Sequence, residues 1–146
     1  MRLLRKILWY FRPKFTMGAI VFVTDPDGRT LLVRQRFAGT WGIPGGFQDP
    51  RESAADAVLR ELAEETGLHA VDGLTLIACY QQEGLPHFDN LFRATVPTPA
   101  PAVGPSEFMS RLEIDGAGWF DLDNPSERPA KLRWETELAL VRREQA

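Results

Sequence analysis

Cysteine is nearly missing from this chain: Cys79 is alone among 146 residues. No intrachain disulfide framework can staple the fold, and no Cys/His cluster has zinc-ligand spacing. Eighteen consecutive apolar residues occur nowhere, which excludes a transmembrane helix. There is no excess of positive charge either. Seventeen Lys and Arg stand against twenty Asp and Glu, a formal net charge of −3, so no global field draws the protein to nucleic acid or anionic lipid. Internal repeats are absent. The apolar stretch Ile7 to Phe11 is too short and too aromatic for a signal peptide. The remaining expectation is a soluble, reduced, cytoplasmic protein whose residues 1–146 make one domain, long enough to bury a core unaided.

Hydrophobic periodicity divides the chain. Leu3, Leu4, Ile7, Leu8 and Phe11 share one helical arc opposite Arg2, Arg5, Lys6 and Arg12, which reads as a short basic amphipathic helix stopped by Pro13. Such a helix packs on its own domain or a dimer mate, or lies on a membrane surface. Met17–Thr24, the turn Asp25-Pro-Asp-Gly28 and Thr30–Arg36 read as a hairpin. Ser53–Thr66 reads as a helix, Leu74–Gln81 and Phe88–Val96 as strands, and Ala117–Asp121 as another. Pro97–Pro105, with four prolines in nine positions, reads as a loop between strands. Pro129 followed by Leu132, Trp134, Leu138 and Val141 reads as a C-terminal helix. The class is α+β, a mixed sheet covered by helices.

The chemistry concentrates in Gly45 to Leu68. Ser53 is placed to cap the helix, with Asp56 three residues on as a capping-box variant, and Gly67 to end it. Ala55, Val58, Leu59, Leu62, Ala63 and Thr66 form the expected core arc, while Glu61, Glu64 and Glu65 share a separate one. Carboxylates crowded on one face repel each other, and a metal removes the conflict. All-oxygen ligation suits hard cations such as Mg²⁺ or Mn²⁺. Arg60 lies beside this arc and can pair with Glu52, and Gly45-Gly46 lets a backbone carbonyl come close to a cation.

Gly46, five residues, Glu52, seven residues, Arg60-Glu61-Leu62, one residue, Glu64-Glu65, one residue, Gly67-Leu68 matches every position of the Nudix box. Such a pattern arises by chance about once in 10⁹ starting points. The chain resembles the Nudix hydrolase superfamily. Trp41-Gly-Ile-Pro-Gly-Gly46 looks like the family's lead-in strand, and Glu113-Ile-Asp-Gly-Ala-Gly-Trp-Phe120 like the segment ending in a strand-borne aromatic. The resemblance implies an α/β/α sandwich in which the box forms a loop–helix–loop. It also implies hydrolysis of a nucleoside diphosphate linked to another group, by water attack on phosphorus with a divalent cation, Mg²⁺ or Mn²⁺. Carried onto this chain, Glu61, Glu64, Glu65 and the Gly45 carbonyl become metal ligands. Arg60 and Glu52 become the pair that orients them. Glu113, six residues before Trp119, matches an extra carboxylate of some members, with Glu107 competing for the role and a strand-edge surface charge as the alternative. Glu61, Glu64 and Glu113 all qualify as general base.

For the substrate, Arg34 and Arg36 lie on one face of a strand end and either meet phosphates or form a solvated basic edge. Phe37, Trp41 and Phe47 either stack a base or belong to the core. His87 beside Asp89 reads as structural or solvated, and Cys79 as a small buried hydrophobe. The expected partner is a small nucleotide, from nucleoside triphosphates to ADP-ribose-like molecules, without nucleic acid; a homodimer is compatible. A non-catalytic nucleotide-binding regulatory module is the alternative, against which stands the full set of box glutamates.

Overall fold

The computed structural model describes residues 14–97, 99–105, 110–133 and 135–145. The N-terminal helix expected at residues 2–12, and Glu107, lie outside these residues. The strands are β1 (Thr16–Thr24), β2 (Thr30–Gln35), β3 (Trp41–Gly42), β4 (Gly45–Phe47), β5 (Asp72–Gln81), β6 (His87–Thr95) and β7 (Ile114–Phe120). The helices are α1 (Ala54–Thr66), α2 (Ser110–Glu113) and α3 (Glu135–Gln145).

β1 is the organising strand. It pairs in parallel with β6 along its whole length, from Thr16↔His87 to Thr24↔Thr95, and β5 adds antiparallel outside β6. On its other edge, β4 pairs with its first half through Gly18↔Phe47 and Ile20↔Gly45. β2 touches β1 only at Thr24↔Thr30 and carries β3 and β7 as its own partners. A strand buried on both faces should lack polar alternation, and Ala19 to Val23 is an unbroken buried run.

Alternate residues of that run feed two cores. Ala19, Val21 and Val23 pack with Val58 and Leu62 of α1. Ile20 and Phe22 pack with Leu91, Leu32, Ile43 and Val141 of α3. Helices therefore cover both faces, and the architecture is the expected α+β sandwich with a mixed sheet.

The structure corrects several local expectations. The C-terminal helix begins at Glu135, not near Pro129, because residues 131–133 are held extended against β3: Trp41 N–H donates to the Lys131 carbonyl at 2.8 Å and Arg133 N–H to the Trp41 carbonyl at 2.7 Å. β7 starts three residues before the expected Ala117 and follows an extra helix, α2. Within α1, Leu59 is 37% exposed while Ala57 and Glu65 are buried, so the buried arc is rotated towards the acidic one. Cys79 is exposed, because β5 is an outer strand of the sheet and this residue points away from the cores.

Candidate active site

The helix bearing the glutamates starts and stops where local chemistry requires. Ser53 Oγ accepts from the Asp56 amide at 3.1 Å and bonds the Asp56 carboxylate at 2.6 Å. Gly67 closes the helix in the left-handed region at φ 76°, its amide bonded to the Ala63 carbonyl. These two ends fix the register that turns Glu61, Glu64 and Glu65 towards β4.

The glycine pair lets strand and helix meet. At Gly45, φ is +147°, and a side chain there would run into the backbone of Ala19 and Ile20. At Gly46, a Cβ would lie 2.5 Å from a carboxylate oxygen of Glu61. With neither side chain present, the Gly45 amide donates to Glu65 Oε2 at 2.9 Å.

Arg60 is the hub of the acidic cluster. Its Nε and Nη2 grip both Glu52 oxygens at 2.9 and 3.1 Å. Its Nη1 reaches Glu61 at 2.8 Å and Glu64 at 3.6 Å, and Nη2 also donates to the Phe47 carbonyl at 3.0 Å. The planar fork of a guanidinium makes the two-bond grip on Glu52 possible while leaving donors for the other partners, a pairing that the point charge of a lysine cannot reproduce. Hydrogen bonding to Arg60 holds the Glu52 carboxyl below its usual range, helped by the Asp49 amide. In turn, Glu52 pushes the Arg60 guanidinium pKa upward.

Glu61, Glu64, Glu65, Glu113 and Arg60 line one cavity of about 290 Å³. Glu65 is 8% exposed. Burial raises its pKa from 4.5 to about 8 against the Gly45 hydrogen bond, and the neighbouring Glu61, Glu113 and Glu64 add to the rise. Burial also raises the Glu61 pKa, opposed by Arg60. Four glutamates thus face one arginine that Glu52 already engages. Such a donor set, all carboxylate oxygen and short of positive charge, fits a hard divalent cation. Among the described residues no three Asp, Glu, His or Cys side chains already converge as a metal-holding group. Arg60 engages Glu61 Oε1 and the Gly45 amide engages Glu65 Oε2, one oxygen of each carboxylate.

The substrate-contact expectations fare unevenly. Arg34 donates to Asp115 at 2.7 Å and lies over the Trp41 ring at 5.9 Å. Hydrogen bonding to Arg34 lowers the Asp115 pKa, with a smaller charge contribution from Arg36. Neither arginine lines the glutamate cavity; Asp115 holds the Arg34 guanidinium. The Arg36 amide bonds the Glu113 carbonyl at 2.7 Å, anchoring Glu113 at the cavity. Trp41 is a wall of the second core, edge-on to Phe120 at 4.7 Å. Phe37 and Phe47 are the reverse of core, 89% and 66% exposed. They line an adjoining space of about 330 Å³ that shares Gly45, Gly46, Glu65 and Glu113 with the first.

Asp49, Ile114 and Gln35 also line these spaces. Sequence reading passed over them because no spacing rule marks them. His87 is held between Thr16 Oγ1 at 2.7 Å and Asp89 at 3.0 Å, which makes it structural rather than solvated.

A mixed sheet between helices thus carries a glutamate cavity on the glycine pair of β4, beside α1. Residues 14–141 match the family model described as the NUDIX domain, and the chain belongs to that family. It is 37% identical over 105 residues to the "Putative 8-oxo-dGTP diphosphatase" of Bacillus subtilis, covering 72% of this chain and 66% of that protein. It is 31% identical over 121 residues to the "MutT-like protein" of Streptomyces ambofaciens, covering 82% and 73%. The crystal structure of a MutT NUDIX hydrolase from Burkholderia pseudomallei superposes with a TM-score of 0.69 at 28% identity, covering 88% of this chain and 98% of that one. The chain thus spans just under two thirds of the Bacillus relative.

Proposed function

We propose that this protein hydrolyses the pyrophosphate bond of a nucleoside diphosphate derivative, with nucleoside triphosphates and ADP-ribose-like molecules as the substrates to test, using Mg²⁺ or Mn²⁺. The observation that carries this reading is the glutamate cavity itself, where buried and half-buried carboxylates outnumber the available cations. Glu61, Glu64, Glu65 and the Gly45 carbonyl would hold the metal. When bound, it would neutralise phosphate oxygens and lower the pKa of an attacking water.

The chain's own residues do the rest. Arg60, fixed by Glu52, sets the positions of Glu61 and Glu64. Glu61, Glu64 and Glu113 line the cavity and are the proton acceptors available to an attacking water. Glu65 is the least suited to that task, since its carboxylate is buried and already accepts the Gly45 amide. The relatives' names support nucleotide substrates, and the completeness of the glutamate set supports catalysis over mere binding.

The test is a panel of dNTPs, ADP-ribose, nucleotide sugars and dinucleoside polyphosphates, assayed with Mg²⁺ and with Mn²⁺. Turnover that vanishes with chelator supports the reading. Folded, metal-loaded protein that turns over none of them would defeat it.

A further inference from the structure

The glutamate cavity sits against the first half of β1, where β4 pairs with Gly18 to Ile20. A second polar cavity lies at the other end of that strand. β1 pairs Phe22 with Arg93 and Thr24 with Thr95 of β6, and β5 pairs Thr75 with Arg93 and Asp72 with Thr95. Residues paired across neighbouring strands share a face. Phe22, Arg93 and Thr75 therefore form one row across the sheet, and Thr24, Thr95 and Asp72 the next. This is the face of the second core, to which Phe22 belongs, and so the face opposite α1. All six residues line a space of about 360 Å³, and none of them lines the glutamate cavity.

An irregularity in β5 shapes this space. From Asp72 to Thr75 the strand advances three positions, while β6 advances two, from Thr95 to Arg93. Gly73 takes φ +63° inside that bulge, a conformation that favours glycine. A bulge bends its strand and re-aims the side chains on either side of it, here Asp72 and Thr75.

Arg93 is the unbalanced group. It is partly buried, yet its guanidinium has no hydrogen bond or ion pair among the described residues. Arg29 and Arg60 are partly buried too, but Arg29 holds Asp25 at 2.7 Å and Arg60 holds Glu52 at 2.9 Å. Withdrawing a cation from water without a partner is unfavourable, and a bound anion offsets the cost. Hydroxyls stand beside it. Thr75 Oγ1 is turned to the Gly73 carbonyl at 2.9 Å, whereas Thr95 Oγ1 reaches the Asp72 carbonyl only at 3.5 Å. Asp72 lines the same space from the next row without an ion pair to Arg93. A guest that suits both charges must offer an anionic oxygen to the guanidinium and a proton to the carboxylate. Phosphate at neutral pH has both; sulfate has no proton to give.

We propose that Arg93, Asp72, Thr24 and Thr95 form a binding site for the hydrogen phosphate ion, with Arg93 as its anchor and Asp72 selecting the protonated oxyanion. The site goes beyond the hydrolase reading and does not rest on it.

The test is a titration followed by backbone amide chemical shifts, in chelator, at neutral pH and constant ionic strength. Without a cation the four-glutamate cavity repels anions, so turnover and metal binding play no part. Inorganic phosphate should move the amides of Thr75, Arg93 and Thr95 saturably and leave those of Gly46 and Glu61 unmoved. Sulfate should bind at least about fivefold more weakly, because Asp72 would face it with no proton between them. Arg93→Met keeps the apolar stem and should weaken phosphate binding at least about tenfold. Asp72→Asn should bring sulfate level with phosphate. Asp72 is exposed, so this variant should fold as the wild type does and tests the site even if Arg93→Met does not fold. Shifts that fail to saturate or saturate only elsewhere, equal affinity for the two anions in the wild type, unchanged phosphate binding in folded Arg93→Met, or an unchanged preference in Asp72→Asn would each overturn the proposal.

Discussion

Replacing Glu65 with glutamine should stabilise the metal-free protein, and by an amount that depends on pH. Glu65 is 8% exposed, and its pKa is raised from 4.5 to about 8 with burial as the main cause. The folded state therefore holds this proton more tightly than the unfolded chain. Wild-type stability falls as pH rises between those two values, by about 1.4 kcal/mol for each pH unit. By pH 7 the cost is on the order of 3 kcal/mol; above about pH 8 it levels off. Glutamine cannot ionise, yet its amide oxygen can still accept the Gly45 N–H that Glu65 accepts at 2.9 Å. The two proteins should thus be close in stability near pH 5 and diverge as pH rises. Relaxation and water entry reduce the gain, but at least about 1 kcal/mol should survive, raising the melting temperature of Glu65→Gln over wild type by about 3 °C or more at pH 8. The assay is urea or thermal unfolding of both proteins in chelator at pH 5, 6, 7, 8 and 9. Saturating Mg²⁺ should reverse the order, since the metal binds the folded wild type better. A stability difference that stays constant across this range would refute the reasoning. It would mean that Glu65 ionises in the fold as freely as in solution.

Three further outcomes are expected. Glu64→Gln should lower kcat by at least about 10² with little change in the metal-free melting temperature, because it removes a charge from the cation site and nothing from the core; a large metal-free destabilisation would make Glu64 structural. Gly46→Ala should cost activity about tenfold or more, because the new methyl lies 2.5 Å from a Glu61 oxygen and must push that carboxylate aside; wild-type kinetics would show that the position of Glu61 does not matter. Hydrolysis in ¹⁸O-labelled water should place the label on a phosphate product, and label on a sugar carbon would contradict attack at phosphorus.

The parts that sequence made legible are those governed by local rules. Ser53, Gly67 and the 3- and 4-residue spacing of the glutamates announce a capped helix with one acidic face, and the Arg60–Glu52 pair follows from the same helix. The spacing from Trp119 left Glu113 open between a site carboxylate and a strand-edge charge, with Glu107 competing, and it is the fold that brings Glu113 to the cavity through α2 and the Arg36 amide. What was not legible depends on packing partners far along the chain. Leu59 fits the core arc by periodicity, yet the sheet meets α1 about one position further round and buries Ala57 and Glu65 instead. Arg34 was a phosphate candidate until Asp115, eighty-one residues away, took its guanidinium. Trp41, Phe37 and Phe47 are indistinguishable by hydrophobicity, and only the path of β2–β4 decides that the first is core and the other two are solvent-facing. The Pro129 segment satisfies every rule for starting a helix, but its backbone hydrogen bonds go to Trp41.

The parallel pairing of β1 with β6 has a kinetic consequence. It joins residues seventy-one positions apart, so its closure entropy is met before any contact rewards it. Local hairpins such as β5–β6 close in microseconds; β1 must wait for the long loop. β4, which floors the glutamate cavity, hangs on β1, and Glu113 arrives later in sequence than all of these strands. A chain emerging from a ribosome therefore cannot assemble its acidic cavity until more than a hundred residues have been released. Refolding experiments should see helix α1 form early and cation affinity appear only with the final phase.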